Sequence, residues 1–157
     1  MKTYKLNDLN NPLISVLMPA YNAEKYIKEA IESILNQTFS NFEFIIIDDG
    51  SIDATEEIIK SFKDSRIVYI KNEKNLGLIK TLNKGISIAR GEFIARMDSD
   101  DISMPQRFEL QLDVFKKYKG VDIVNVALKK MSEDGTKLSK YRDRKSTRLN
   151  SSHHVVS

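Results

Sequence analysis

Phe93-Ile94-Ala95-Arg96-Met97-Asp98-Ser99-Asp100-Asp101 is the stretch from which the fold of this chain is read. Its first five residues are apolar apart from Arg96 and make a buried strand, and three carboxylates in the next four residues stand at the strand's C-terminal end. Pro105 and a new helical pattern follow. The acids therefore fall where a strand hands over to a helix, the edge of an α/β sheet at which ligands bind. Clustered carboxylates ask for a cation, and oxygen donors favour hard ions such as Mg²⁺ or Mn²⁺. An ion held by one or two carboxylates completes its shell with water and substrate phosphates, so the stretch predicts a phosphorylated ligand as well as a metal. The competing reading is a solvated acidic turn that caps the next helix, since Asp and Ser are ordinary turn residues.

Working outward, the same strand-then-helix grammar recurs. Ile14-Ser15-Val16-Leu17-Met18 reads as a buried strand broken by Pro19-Ala20-Tyr21-Asn22, and Asn22 is the expected N-cap of a helix carrying Ile27, Ala30, Ile31, Ile34 and Leu35 on one side. Phe42 to Ile47 is apolar enough for burial on both faces and ends in Asp48-Asp49-Gly50-Ser51. Asp53 and Glu56 predict a capping box for a helix with Ile58, Ile59 and Phe62 inward. A third strand, Ile67 to Ile70, leads through a polar loop into a helix through Leu78, Ile79, Leu82, Ile86 and Ala89, ended by Gly91. After strand four, Glu92 to Met97, Ser103 and Gln106 predict a second capping box before Phe108, Leu112 and Phe115. Val121 to Leu128 reads as a fifth strand, and Lys129 to Leu138 as a hairpin with an Asp134-Gly135 turn. Strands alternating with helices imply right-handed βαβ units and a mostly parallel sheet with helices on both faces, so the fold class is α/β.

The 157 residues suit one domain with a substantial core, and a hydrophobic fraction of 41% with 30% charged residues is that of a globular protein without a membrane-spanning run. With no cysteine, disulfide frameworks and thiolate chemistry are excluded. No secretory leader is read, which makes the cytoplasm the default setting. The net charge of +3 does not point to nucleic acid, because the excess lies at one end: Arg144, Lys145 and Arg148 leave 22 of the 25 basic residues in positions 1–143, against 22 acidic ones. Segment 144–157 has no amphipathic period and resembles the translated read-through of a sequencing adaptor. The expected organisation is thus a polar leader over 1–12, one domain over 13–143 and an artefactual or disordered tail, the natural protein continuing differently from about Arg144. An independent clone that returned the identical tail would refute this.

Three polar clusters, Pro19 to Asn22, Asp48 to Ser51 and Asp98 to Asp101, end strands one, two and four, and in a doubly wound sheet such ends converge on one crevice. Tyr21 offers a face for stacking a nucleobase, unless it is simply a half-buried aromatic. Asp48 or Asp49 offers an acceptor for a base or ribose, unless both only cap the following helix. A nucleotidyltransferase would need a Gly-rich basic loop where this chain has Pro-Ala-Tyr-Asn. A receiver-like phosphoacceptor domain would carry its acid pair after the first strand.

Read together, Ser15 to Asn22, Ile47-Asp48-Asp49-Gly50-Ser51 to Thr55, Asn75-Leu76-Gly77 with Asn83-Lys84-Gly85, and Asp98-Ser99-Asp100-Asp101 resemble the family 2 glycosyltransferases of GT-A fold. The resemblance runs from about Leu13 to at least Val126. It implies a Rossmann-like nucleotide-binding fold and an inverting, metal-dependent transfer from a nucleotide-sugar donor, commonly a UDP-sugar, to an acceptor hydroxyl in polysaccharide or glycolipid synthesis. Carried over by position, Pro19, Ala20 and Tyr21 line the base site and Asp48 or Asp49 holds the base. Asn75 and Gly77 match the loop beside the nucleotide. Asp98 matches the acid near the ribose and the metal's water shell, Asp100 the ligand of Mn²⁺ or Mg²⁺, and Asp101 stands outside the motif. Asn83 and Gly85 read as helix packing, and Lys80 and Arg96 as solvated surface charges. The implied partners are the donor and a saccharide or lipid-linked acceptor, with peripheral membrane association of the full-length protein at the inner face and no nucleic acid. The catalytic base matches nothing here, since Glu133, Asp134 and Asp143 read as turn or surface residues, so this chain is expected to bind donor yet transfer sugar poorly or not at all.

Overall fold

The computed structural model describes residues 11–126, together with the backbone of three strands at 129–131, 137–140 and 154–156. The chain runs β1 (Ile14–Ala20), α1 (Ile27–Leu35), β2 (Phe42–Asp48), α2 (Thr55–Ser61), β3 (Ile67–Lys71), α3 (Leu78–Ile88), β4 (Phe93–Arg96), α4 (Arg107–Lys117), β5 (Ile123–Val124), β6 (Lys129–Met131), β7 (Lys137–Lys140) and β8 (His154–Val156). Six strands form a sheet in the order β3-β2-β1-β4-β8-β5, and each neighbouring pair in it is parallel. After three strands laid down in one direction, the chain returns to the far side of β1 to place β4. The seam between β1 and β4 is therefore a topological switch point, where the following loops part and leave a crevice.

Alternation along the strands makes two apolar layers, because successive side chains point to opposite faces. Ile14, Val16, Met18, Phe42, Phe44 and Ile46 face α1, α2 and α4, where Ile27, Ile31, Ile34, Ile59, Phe108 and Leu112 complete the larger core. Leu17, Ile45, Ile47 and Ile94 form the smaller layer on the other side. α3 packs there through Gly85, where an added Cβ would stand 3.2 Å from side-chain carbons of both Ile47 and Leu17. The apolar pattern in α3 misleads about its inner side: Thr81 and Gly85 are buried, whereas Leu78, Ile79 and Ile86 are exposed. Close approach at Gly85 and the hydrogen-bonded Thr81 set the helix's rotation more strongly than its larger apolar side chains do.

None of the three expected caps forms as read. α1 begins at Ile27, and Asn22 instead takes a positive φ of 47°, accepting from the Ile52 amide at 3.0 Å. Asp53 binds the amides of Thr55 and Glu24, while Glu56 turns to Lys60 and Lys71. Ser103 accepts from Gln37, whose amide also donates to the Met104 carbonyl at 2.8 Å and so stitches the end of α1 to the approach to α4. At Asn22 and Ser103 a partner distant in sequence takes the polar side chain, and Asp53 divides its carboxylate between the local Thr55 amide and the distant Glu24 amide. β5 is shorter than expected. β6 and β7 pair antiparallel as the hairpin predicts, but the Asp134-Gly135 turn, like Glu133 and Asp143, lies outside the described residues. β8 falls within segment 144–157, the rest of which also lies outside them.

At the end of the sheet remote from the crevice, buried Glu43 accepts from Ser15 at 2.6 Å and from the Arg90 amide at 2.8 Å, and Gly91 donates to the Ser15 hydroxyl. An added Cβ at Gly91 would meet the Ser15 nitrogen at 2.5 Å. This clip fixes where β4 starts, and so the register that brings Asp98 level with the ends of β1 and β2.

Candidate donor-binding site

The three expected polar clusters meet at the C-terminal ends of β1, β2 and β4 around a cleft of about 400 Å³. Pro19, Ala20 and Tyr21 form one wall, Asp49 with Asn75 and Gly77 the second, and Asp98 with Asp100 the third. Leu78, Arg96 and Ser99 complete the lining. The walls are tied together by backbone: the Asp49 amide donates to the Ala20 carbonyl at 2.7 Å, and the Met97 amide to that of Leu17 at 2.9 Å. Tyr21 is 48% exposed, and its ring is open to a planar ligand.

The structure separates the two acids that the sequence leaves open. Asp48 is fully buried and does not line the cleft; it accepts from the Ser51 amide at 2.8 Å and from the Tyr69 hydroxyl at 3.3 Å, and so shapes the turn. Of the pair Asp48 and Asp49 that the sequence leaves open, Asp48 thus lies beneath the turn. Asp49 does line the cleft. Its Oδ1 accepts from Asn72 at 2.7 Å and from the Leu76 amide at 3.0 Å, and its Oδ2 from the Gly77 amide at 2.9 Å. Thr81 is a fourth hydrogen-bond partner of the same carboxylate. Asn72, itself buried, also takes 2.6 Å support from Lys84 and donates to Thr81, so α3 and the 72–77 loop hang on Asp49.

Burial of Asp49 opposes its ionisation, but hydrogen bonds from Leu76, Asn72, Thr81 and Gly77 outweigh it and hold the carboxyl below its ordinary value. A lowered folded pKa means that the stabilisation is complete above the unfolded value, near 3.9, and is lost as pH falls through the folded one. Asp49→Asn is expected to remove this part of the acid-side loss. Urea unfolding of wild type and variant from pH 6 down to pH 3 checks it: the gap between their stabilities should narrow as the solution is acidified.

In the third wall, Arg96 Nε and Nη2 both donate to Asp98 Oδ1, at 3.1 and 2.8 Å. Both side chains are partly exposed, at 42% and 43%. Arg96 is not the detached surface charge that its isolation in sequence suggests. The available signal was its spacing, since residues two apart on a strand share a face. Lys80, by contrast, is exposed and does not line the cleft. Arg107, which the sequence reading passed over, is buried and donates to the Arg96 carbonyl at 2.8 Å, pinning the strand end that carries the acids. Burial draws its pKa down, and Asp101 and Asp98 partly offset that. Asp101 is pushed up by desolvation and then by its neighbours Asp98 and Asp100, and it does not line the cleft. Among the described residues Asp100 makes no hydrogen bond or ion pair, and no three His, Cys, Asp or Glu side chains converge as a metal cage. The donor set of Asp98 and Asp100 therefore fits a hard ion that shares its shell with water and phosphate, and does not fit a closed, all-protein site.

A parallel sheet whose switch-point crevice joins an exposed aromatic, a committed acid and a pair of carboxylates defines an α/β protein with a ligand-binding cleft. The chain belongs to the family described as glycosyl transferase family 2, whose model matches residues 15–156. It is 42% identical over 144 residues to the uncharacterized glycosyltransferase MJ1057 of Methanocaldococcus jannaschii, covering 89% of this chain and 50% of that one. It is 37% identical over 123 residues to the Escherichia coli UDP-Glc:alpha-D-GlcNAc-diphosphoundecaprenol beta-1,3-glucosyltransferase WfgD, covering 74% and 49%. Among solved structures, S. aureus TarS 1-349 in complex with UDP-GlcNAc superposes with a TM-score of 0.67 at 29% identity, over 76% of this chain and 34% of that one. The Rossmann-like GT-A class expected from the motifs holds. The chain spans about half the length of these two curated relatives, and no helix among its described residues is long and apolar enough to cross a membrane.

Proposed function

We propose that this chain is the donor-binding portion of an inverting glycosyltransferase that moves a sugar from a UDP-sugar to an acceptor hydroxyl of a saccharide or lipid-linked acceptor. The observation that carries this is the convergence of Tyr21, Asp49, Asn75, Asp98 and Asp100 on one cleft at the β1/β4 switch point. Tyr21 stacks on the base, and Asp49, which lines the cleft with it, accepts its N–H. Gly77 and Asn75 give backbone and amide contacts beside the nucleotide, and Asp98 meets the ribose. Asp100, with Asp98 behind it, holds Mn²⁺ or Mg²⁺. When bound, the ion supplies Lewis-acid neutralisation of the charge on the departing diphosphate. The names of the relatives, one using a UDP-glucose donor and one seen with UDP-GlcNAc, support a uridine nucleotide. The work is placed in the cytoplasm, the full-length protein meeting lipid-linked acceptors of polysaccharide or glycolipid synthesis at the inner membrane face.

Isothermal titration of UDP into the protein tests this reading. Binding is expected with Mn²⁺ present and is expected to weaken at least 100-fold, about 2.7 kcal/mol, when EDTA replaces it. Absence of binding by UDP and by GDP alike in Mn²⁺ would sink the proposal. Among the described lining residues the cleft acids are Asp49, committed to its loop, and the pair Asp98 and Asp100, so none of these is left to take the acceptor's proton. Accordingly, incubation with radiolabelled UDP-sugars and sugar acceptors is expected to give no multiple-turnover transfer, and sustained product formation would show that a base is present after all.

A further inference from the structure

We infer that Arg96 is a diphosphate-positioning residue which Asp98 holds in reserve while the cleft is empty. This deepens the donor-binding reading and rests on it. The cleft carries three carboxylates, Asp49, Asp98 and Asp100, and Arg96 is the only cationic side chain among its described lining residues. A diphosphate brings further negative charge into this acidic place, so it needs positive charge beyond what its own metal ion contributes. Arg96 can supply it. Its forked bonds fall on a single oxygen of Asp98, at 3.1 and 2.8 Å, and both partners stand partly in solvent, so exchanging the carboxylate for a phosphate costs little. The planar guanidinium suits bidentate binding of either anion. The backbone beneath it does not move, because β4 pairs with β1 from Phe93 to Arg96 and Arg107 grips the Arg96 carbonyl. Only the side chain has to swing.

The arrangement has a consequence for the order of assembly. With the cleft empty, Arg96 cancels the charge of Asp98 and lowers the pull on a lone divalent ion. Once the nucleotide arrives, Arg96 turns to the phosphates and releases Asp98 toward the ribose and the ion's water shell. Metal and nucleotide thereby favour each other's binding, a reciprocal coupling.

Arg96→Met and Arg96→Lys test this in two titrations. With Mn²⁺ alone, followed by the electron paramagnetic resonance of free ion, Arg96→Met is expected to bind about 5-fold tighter than wild type, since a competing cation has gone. With UDP in saturating Mn²⁺, the same variant is expected to bind at least 10-fold weaker, with Arg96→Lys in between because it keeps the charge and loses the fork. Equal or weaker binding of Mn²⁺ alone by Arg96→Met overturns the inference, as does unchanged UDP affinity. A general folding defect would lower both affinities and the unfolding midpoint together, and so also counts against it. If wild type failed to bind UDP, the donor-binding reading would fall, while the metal-only titration would still decide whether Arg96 guards Asp98.

Discussion

Replacing Asp100 by alanine is expected to weaken UDP binding in Mn²⁺ by about 100-fold or more, roughly 2.7 kcal/mol, while leaving the unfolding midpoint where it was. The two halves of this expectation come from the same fact. Asp100 lines the cleft, and among the described residues it makes no hydrogen bond or ion pair, so its removal takes nothing from the fold. Removing a direct oxygen ligand from a hard ion should cost more than the 10- to 100-fold typical of the groups behind such a ligand. Titration calorimetry and urea unfolding on the same preparation check both halves. A variant that lost stability together with affinity would reassign Asp100 to a structural role. In EDTA, wild type and Asp100→Ala should bind UDP alike, which separates loss of the ion from loss of a direct contact with the nucleotide.

The second large effect is expected at Gly50. Its φ is +76°, and a Cβ added there would meet the backbone of Lys74 at 2.7 Å and the Asn75 nitrogen at 2.9 Å. A left-handed conformation costs a non-glycine residue about 1–2 kcal/mol, and forcing atoms into a packed contact about 1–3 more. Gly50→Ala should therefore lose roughly 2–5 kcal/mol in urea unfolding, a range that follows from those two terms. The displaced backbone is the loop that Asp49 holds through Leu76 and Gly77, so UDP binding should fail with it. Gly50→Asn, which tolerates positive φ, should do no better, because the clash remains. Gly77 is the internal control. Its φ of +85° with ψ of 156° is a conformation essentially reserved for glycine, but nothing lies within 4 Å of an added Cβ, so Gly77→Ala should lose only the conformational cost of about 1–3 kcal/mol and less than Gly50→Ala. Equal penalties at the two glycines would show that conformation alone, and not close approach, matters at Gly50.

The site in this chain was legible to different degrees for physical reasons that can be named. Asp98 and Asp100 could be placed from sequence because an apolar strand has one direction of exit and its end is a fixed point of the sheet. The same argument put Tyr21 and the Asp48-Asp49 pair on neighbouring walls. It could not choose between Asp48 and Asp49, since adjacent residues at a strand end differ only in which way the turn aims them. The choice was made by Tyr69 and the Ser51 amide, which claim Asp48, and by the 72–77 loop, which claims Asp49. Likewise the caps read at Asn22, Asp53 and Ser103 rested on local spacing. Those at Asn22 and Ser103 were displaced by partners distant in sequence, and Asp53 shares its carboxylate between Thr55 and Glu24, because a polar side chain in a packed corner takes whichever donor or acceptor is nearest in space.

What the sequence determined by itself is the parallel α/β architecture, the succession of the first four strands along the chain, the apolar sides of α1, α2 and α4, and the three polar strand ends that meet at the cleft. These follow from periodicity and from where polar clusters interrupt it, both of which are properties of the chain read in one dimension. Only the tertiary structure decided that α3 would dock on Thr81 and Gly85, that Asp49 would serve the cleft while Asp48 served the fold, and that Arg96 would stand against Asp98. Those outcomes depend on distances between side chains from different elements, and a linear pattern carries no information about such distances until the sheet has brought the elements together.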